Sequence, residues 1–491
     1  MALPELLSDY RLSIVLVLFV IAIRKLQNFL NRRKIGDDLP GPPASLLTGN
    51  ALEIGRAGGL GPFQRNLHET YGPVVRYWLG PSDLNVSIND PDILDQLEIL
   101  NTERPTGFIQ FMKELFTDKG LFYLEGQAGK ERRLIYHKVF AKRPYENIMP
   151  QFSRIIVELG SNWLSQRNGE KSVTIEFQDE AQRLWNKLNE YNVFGDISSG
   201  NDLTKNFSDL FKLLISIRYS FFPLVPYTKL WYKKYALLDS LHSEVDRLIR
   251  EELKHRGEST LAKADFLSLL LEDEELDEET VHAEVMTLLF AVYDNFVGLS
   301  WVLHKIAELK DVQTKIRNEV QRVWGDENPT KLDDLTRLVY TRAAIKEALR
   351  FGGTGNSNIR VLAQDYLVQN KYFIPKGAHI ITPVRLLHKN PNHWENPDKF
   401  EPERFMSVDK ERPEESQKRS RMAYIPFGFG PRSCLGQRYT INTLTLIVGL
   451  LTKRFDIDAV KKCNEITWKE ALFSDQAVEG VWLKFTPRGA E

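Results

Sequence analysis

The sequence predicts a mostly α-helical fold with a minor share of β-strand, gathered into a single body behind an N-terminal membrane anchor. Three observations predict it. Helical hydrophobic periodicity dominates residues 147–350, short β-branched runs bounded by glycine and proline occupy only two regions, and no repeat or low-complexity linker interrupts the chain after residue 60. The 491 residues are 42% hydrophobic and 11% aromatic, enough to bury a large core, which excludes general disorder. With 65 Lys+Arg against 66 Asp+Glu, the net charge of −1 gives no bulk attraction to nucleic acid. Cys434 and Cys463 are the only cysteines. They exclude a disulfide scaffold and a cysteine-built zinc site, and they fit a reducing compartment.

In chain order, residues 12–23 are uncharged and mostly apolar, between Arg11 and Arg24. A spanning helix needs about 20 residues, so a signal-peptide core or an interfacial helix competes with an anchor. Acidic Glu5 and Asp9 upstream, basic Arg24, Lys25, Arg32, Arg33 and Lys34 downstream, and no small-residue cleavage site favour a retained anchor with the rest of the chain cytoplasmic. Leu39-Pro40-Gly41-Pro42-Pro43 then reads as a stiff, extended break. Residues 71–88, broken at Gly80-Pro81, predict a hairpin. The periodicity predicts helices over 152–163, 237–253, 279–309 and 343–350. Short strands follow at 366–374 and 379–383, then a turn-rich stretch at 403–421 and a helix over 436–454.

Residues 427–436 read Phe-Gly-Phe-Gly-Pro-Arg-Ser-Cys-Leu-Gly. A glycine-rich turn presents one cysteine just before an apolar helix. The partial positive charge and free N–H groups of that helix end would lower the thiol pKa and favour the thiolate. Glycines at 428, 430 and 436 let the backbone approach a flat, bulky group, and axial thiolate ligation of haem iron is the chemistry that suits this arrangement best.

Phe427, Gly430, Arg432, Cys434 and Gly436 match every fixed position of FxxGxRxCxG, and here the sequence resembles the cytochrome P450 family. Upstream, Glu347 and Arg350 look like its ExxR motif, and Arg404 within Phe400–Phe405 resembles the arginine that joins that pair. Arg360 stands at a position that in the family contacts a haem propionate. The proline-rich segment resembles that of the microsomal members.

Three departures stand out. Where the family's long distal helix carries [A/G]-G-x-[D/E]-T, this chain reads Ala291-Val292-Tyr293-Asp294-Asn295. The acid is kept, but the glycine that leaves an oxygen groove is valine and the hydroxyl is an amide. Asn295 can hold a water but supplies no hydroxyl proton. Flanking Phe290, Val292, Phe296 and Val297 predict burial. Second, aligning Gly126 and Arg133 with GxxWxxxR puts Gly129 where tryptophan is expected, leaving Arg133, Arg360 and Arg432 for the two propionates. Third, Gly352-Gly-Thr-Gly355-Asn356 replaces a proline-containing turn and implies a small, flexible lining near the haem.

The resemblance implies a domain division of 1–38, anchor and basic flank, and 39–491, haem domain. It implies haem b on the Cys434 thiolate, Asp294 and Asn295 as catalytic residues, and Phe427, Gly430, Arg432, Gly436, Arg133 and Arg360 around the cofactor. The implied reaction is monooxygenation of a lipophilic substrate at the endoplasmic reticulum membrane. Electrons would come from NADPH through cytochrome P450 reductase, with cytochrome b5 as a second candidate donor, because the chain has no dinucleotide motif of its own. Arg132, Arg133, Lys138, Lys142 and Arg143 would steer an acidic partner. Two other functions compete: an isomerase or dehydratase that rearranges a peroxide without O2 or reductase, which the missing threonine favours, and a haem protein that binds ligands without turnover. Phe290, Tyr293 and Val297, then Ile359 and Phe473, are the substrate-contact candidates.

Overall fold

The computed structural model describes residues 33–97, 117–142, 145–195, 229–255, 265–291, 295–352, 357–406, 420–470 and 474–489, with isolated positions in 19–31 and 203–213 and at 104 and 113. The expected anchor at 12–23 lies outside them, apart from Phe19, Val20 and Ile23, which are exposed. Tyr293, Asp294 and Phe473 also lie outside. The chain forms two compact units, Met1–Glu103 with Asn358–Leu387, and Arg104–Ser357 with His388–Glu491. Each unit draws on two separate stretches of chain, so neither boundary carries the linker composition by which a sequence announces one.

The smaller unit holds a sheet with strands in the order Val74–Leu79, Asp83–Ile88, His379–Pro383, Ser357–Val361. The first two form the expected hairpin, Leu79 opposite Asp83 around Gly80-Pro81, and Asp83–Ile88 runs parallel to His379–Pro383. The Leu60–Tyr71 helix places Phe63 and Leu67 on Val75, Tyr77 and Ile381. Ile359 packs against this cluster and serves as core there.

The proline-rich segment is docked on this unit rather than merely extended. The Arg76 N–H donates to Pro40 O at 2.7 Å, its Nη1 donates to Pro42 O, and Asn50 Nδ2 donates to Pro43 O at 2.8 Å. Just upstream, Asp37 accepts from Trp78 Nε1 at 3.0 Å, and the Arg33 guanidinium lies 4.5 Å from the centre of a Trp78 ring. A Cβ at Gly41 would stand 2.9 Å from Arg76 Cγ and closer still to the Arg76 carbonyl, so the approach requires glycine.

In the larger unit, the expected helices appear as Met149–Ser165, Lys229–His255, Val339–Phe351 and Gln437–Arg454. The predicted 279–309 helix appears as Glu278–Ala291 and Asn295–Glu308. Among the described residues, the stretch long and apolar enough to cross a membrane is Glu278–Glu308, and 80% of its apolar window is buried; it is core. The Gln437–Arg454 helix is buried from Thr440 to Thr452, with Gly449 admitting the Trp324 ring. Strands Val173–Glu176, Trp482–Pro487 and Phe455–Ala459 form a three-stranded sheet whose Phe485 packs on Trp163 at 4.7 Å.

Glu347 and Arg350, fully buried and one helical turn apart, pair through two hydrogen bonds of 2.8 and 2.9 Å. Arg350 also donates to the carbonyls of His388, Pro397 and Lys399, and Arg404 Nε lies 3.4 Å from Glu347 Oε1. Each charge in this cluster has partners, the condition under which a buried pair is tolerated.

Candidate active site

The Cys434 loop is closed by its own backbone. Gly428 N donates to Ile425 O at 3.0 Å, Ser433 N to Gly430 O at 3.0 Å, and Cys434 N to Phe427 O at 2.8 Å. Gly428 and Gly430 take φ of 70° and 66°, the left-handed region that makes glycine the natural residue at both. The helix beginning at Gln437 follows, with Gly436 as its N-cap.

The Cys434 side chain is solvent-accessible, and the chain packed around the loop desolvates its sulfur. Burial pushes its thiol pKa up, while the Gly436 N–H and the Arg133 cation pull it down. The net direction is upward, which corrects the expectation of a lowered pKa: helix-end and cation effects are present, but desolvation outweighs them. A Cβ at Gly436 would stand 3.8 Å from Cys434 Sγ, filling space beside the sulfur. An accessible thiol on a glycine-rich loop, with the Arg133 cation beside it, fits a metal-centred flat cofactor.

Arg133 Nη2 donates to Ser433 O at 2.7 Å, so the Gly126–Lys142 helix grips the residue before the cysteine. The structure thus brings Phe427, Gly430, Arg432, Cys434, Gly436 and Arg133 together. Arg360 is 8% exposed on the Ser357–Val361 strand of the smaller unit, where its Nη1 donates to the Ile359 carbonyl. Asn295 is half-buried, and Phe290, Phe296 and Val297 near it in sequence are buried. Phe290 packs on Phe122 at 5.0 Å between ring centres.

Two further expectations are corrected. Arg132 does not join an exposed basic cluster. It turns inward, donating through Nη1 to the buried Glu284 at 2.5 Å. Arg133 is likewise half-buried and engaged with Ser433, while Lys138 is exposed. Gly352 is not a slack lining residue either. A Cβ there would stand 2.7 Å from Trp301 Cε3, so a close approach to the indole demands glycine; residues 353–356 lie outside the described ones.

Sequence reasoning missed three residues that shape the site. Glu284, fully buried on the Glu278–Ala291 helix, accepts from Leu121 N at 2.9 Å, Tyr136 OH at 2.5 Å and Arg132. Glu125 accepts from Arg104 Nε at 2.6 Å and from Arg432 Nη2. An acidic residue inside an apolar helix was the available signal for Glu284. Glu125 and Arg104 carried none.

A sequence model described as Cytochrome P450 matches residues 39–476. Cytochrome P450 4F5 of Rattus norvegicus is 28% identical over 455 residues, covering 85% of this chain and 84% of the relative. An ultra-long-chain fatty acid omega-hydroxylase of Homo sapiens is 31% identical over 266 residues, 51% of this chain and 49% of the relative. Among solved structures, retinoic acid bound cyanobacterial CYP120A1 superposes with a TM-score of 0.77 at 20% identity, covering 91% of this chain and 99% of that one. The chain therefore belongs to the cytochrome P450 family, and it is an oxidoreductase of the monooxygenase type, whose members bind haem b through a cysteine thiolate.

Proposed function

We propose that the protein is a monooxygenase of the endoplasmic reticulum membrane, anchored by residues 1–38, with 39–491 as its haem domain. It takes electrons from NADPH through cytochrome P450 reductase and oxidises a lipophilic substrate. The observation that carries this reading is the accessible Cys434 thiol on its backbone-closed glycine loop, with Arg133 held beside it through the Ser433 carbonyl. Long-chain fatty acids are the first substrate class to test, because one relative is named for hydroxylating them.

Bound on Cys434, haem supplies the chemistry of dioxygen activation. The chain's own groups do the rest. Cys434 Sγ would hold the iron as its thiolate, with the Gly436 N–H and the Arg133 cation stabilising that anion. Arg133 and Arg432 would supply cations for the cofactor's carboxylates. Phe290 and Val297 keep bulk water away. Asn295 holds a water through its amide, and the Asp294 carboxyl passes it a proton.

Without a fixed hydroxyl and with Val292 in place of glycine, proton delivery is loosely controlled. Reconstitution with reductase, following NADPH, peroxide and product together, tests this. Substantial uncoupling is expected in the wild type, and Val292→Gly with Asn295→Thr raises product per NADPH about tenfold, a partial restoration of a general-acid contribution of about 10²–10⁴-fold. Tight coupling in the wild type that the double variant leaves unimproved refutes this account of Asn295. Turnover of a lipid peroxide without NADPH would replace it with the isomerase.

A further inference from the structure

We propose that Glu125 is a positioning residue that takes over the part left by the missing tryptophan at Gly129, by holding the Arg432 guanidinium in place for a haem carboxylate. This rests on the reading of Arg432 as a propionate donor. The two oxygens of Glu125 are divided between two arginines: Oε1 takes Arg104 Nε at 2.6 Å and Oε2 takes Arg432 Nη2. Arg104 is itself fixed, donating through Nη2 to Leu124 O at 3.2 Å with its guanidinium 4.9 Å from the Phe122 ring centre. Glu125 thus ties Arg432 to an immobile partner.

Arg432 and the Leu124 carbonyl both crowd Gly129. A Cβ at 129 would stand 3.0 Å from both Arg432 Nη1 and Nη2 and 2.9 Å from Leu124 O. A side chain at 129 meets the Leu124 carbonyl first, and the Arg432 guanidinium would have to shift to admit a tryptophan. The guanidinium lies where the ring would leave the helix, and one carboxylate provides the orientation that ring packing would have provided. Electrostatics point the same way. Arg432 disfavours the charge of both Arg104 and Arg133, each already desolvated, and at Arg104 the Glu125 carboxylate opposes that effect. Neutralise Glu125, and Arg432 is released from a crowd of like charges.

The test is haem transfer from the holoprotein to a high-affinity haem acceptor, together with the ferric/ferrous midpoint potential. Glu125→Gln should speed haem loss about tenfold, as expected for losing a charge-assisted hydrogen bond, and move the potential upward as one anion is removed. Glu125→Asp should recover part of both, and Glu125→Gln should add little in an Arg432→Ala background. Unchanged haem loss and potential in Glu125→Gln, with faster loss in Arg432→Ala, overturns the proposal and leaves the reading of Arg432 intact. Unchanged loss in Arg432→Ala overturns that reading itself. If Glu125→Gln does not retain haem, Glu125→Asp serves instead: it keeps the charge and shortens the reach to Arg432. Faster haem loss at unchanged circular dichroism supports the proposal, and unchanged loss overturns it.

Discussion

Replacing Glu284 by alanine should be among the most damaging single changes away from the cofactor. Its carboxylate is fully buried and accepts from the Leu121 N–H, the Tyr136 hydroxyl and the Arg132 guanidinium. Truncation leaves two neutral donors unsatisfied, at about 1–3 kcal/mol each. It also strips a cation of its counter-charge, and breaking a buried ion pair costs about 3–5 kcal/mol. These terms overlap. The Arg132 side chain is 16% exposed and partly rehydrates, so the sum is not additive and about 3–5 kcal/mol is the expected net loss. Against a stability of about 5–15 kcal/mol, that removes about a fifth at the least and most of it at the low end of that range. Burial holds the Glu284 pKa up against its three donors, so ionisation there opposes folding as pH rises through the folded value. Glu284→Gln removes that charge while keeping one acceptor oxygen, and should cost clearly less than alanine. The assay is the urea midpoint of the holoprotein at constant m-value, with haem absorbance followed in parallel. An alanine variant within about 1 kcal/mol of wild type would show that water replaces the carboxylate and refute the reasoning.

Further outcomes follow from other sites. Burial and the nearby Arg350 lower the His388 pKa from 6.5 to about 3, while its Nε2 accepts from Ile425 N at 2.9 Å. A base whose folded pKa is depressed contributes stability above its unfolded value, so stability is lost as pH falls from 6.5 toward about 3. That slope of the urea midpoint should flatten in His388→Gln. Gly449→Ala places a methyl 2.7 Å from Trp324 Cζ3, and overpacking of about 1–3 kcal/mol should outweigh the gain of about 1 kcal/mol in helix propensity, lowering the melting temperature. Cys434→Ala should abolish the thiolate signature of the ferrous carbonyl spectrum, whereas Cys463→Ala, in a half-buried turn, should leave it unchanged. Haem binding must displace the thiol proton, so haem affinity should rise with pH until the raised Cys434 pKa is passed, as read by titration of the haem-depleted chain.

What proved legible in the sequence was local. The Cys434 loop is ten residues whose glycines and following helix act on one another directly, and Glu347 and Arg350 share a helix face by spacing alone. The 71–88 hairpin, the Gln437–Arg454 helix and the His379–Pro383 strand were equally readable, from alternation and punctuation. Quantities set by distant neighbours were not legible. Whether Arg132 faces a partner or the core depends on Glu284, more than a hundred residues away in sequence, and a basic run reads identically in both cases. The direction of the Cys434 pKa depends on how much chain folds around the sulfur, which no local motif encodes. The absent tryptophan at 129 is visible in sequence, but its compensation by Glu125 and Arg104 emerges only when three segments meet.

Docked on the hairpin strand, residues 40–43 act as a bracket, not a tether. A flexible linker of n residues lets its ends wander by about 5–6 Å × √n, which fixes a distance but no direction. Here the Pro40 and Pro42 carbonyls are held by Arg76, and Gly41 lies against the Arg76 backbone. Any tilt of the chain at residue 40 is therefore passed to the sheet as torque. One residue inserted between Asp37 and Pro40 would slide the register by about 3.3 Å and break those contacts, whereas the same insertion before Arg33 leaves them in place. Length upstream of Arg33 is free to vary; length between Asp37 and Pro43 is not.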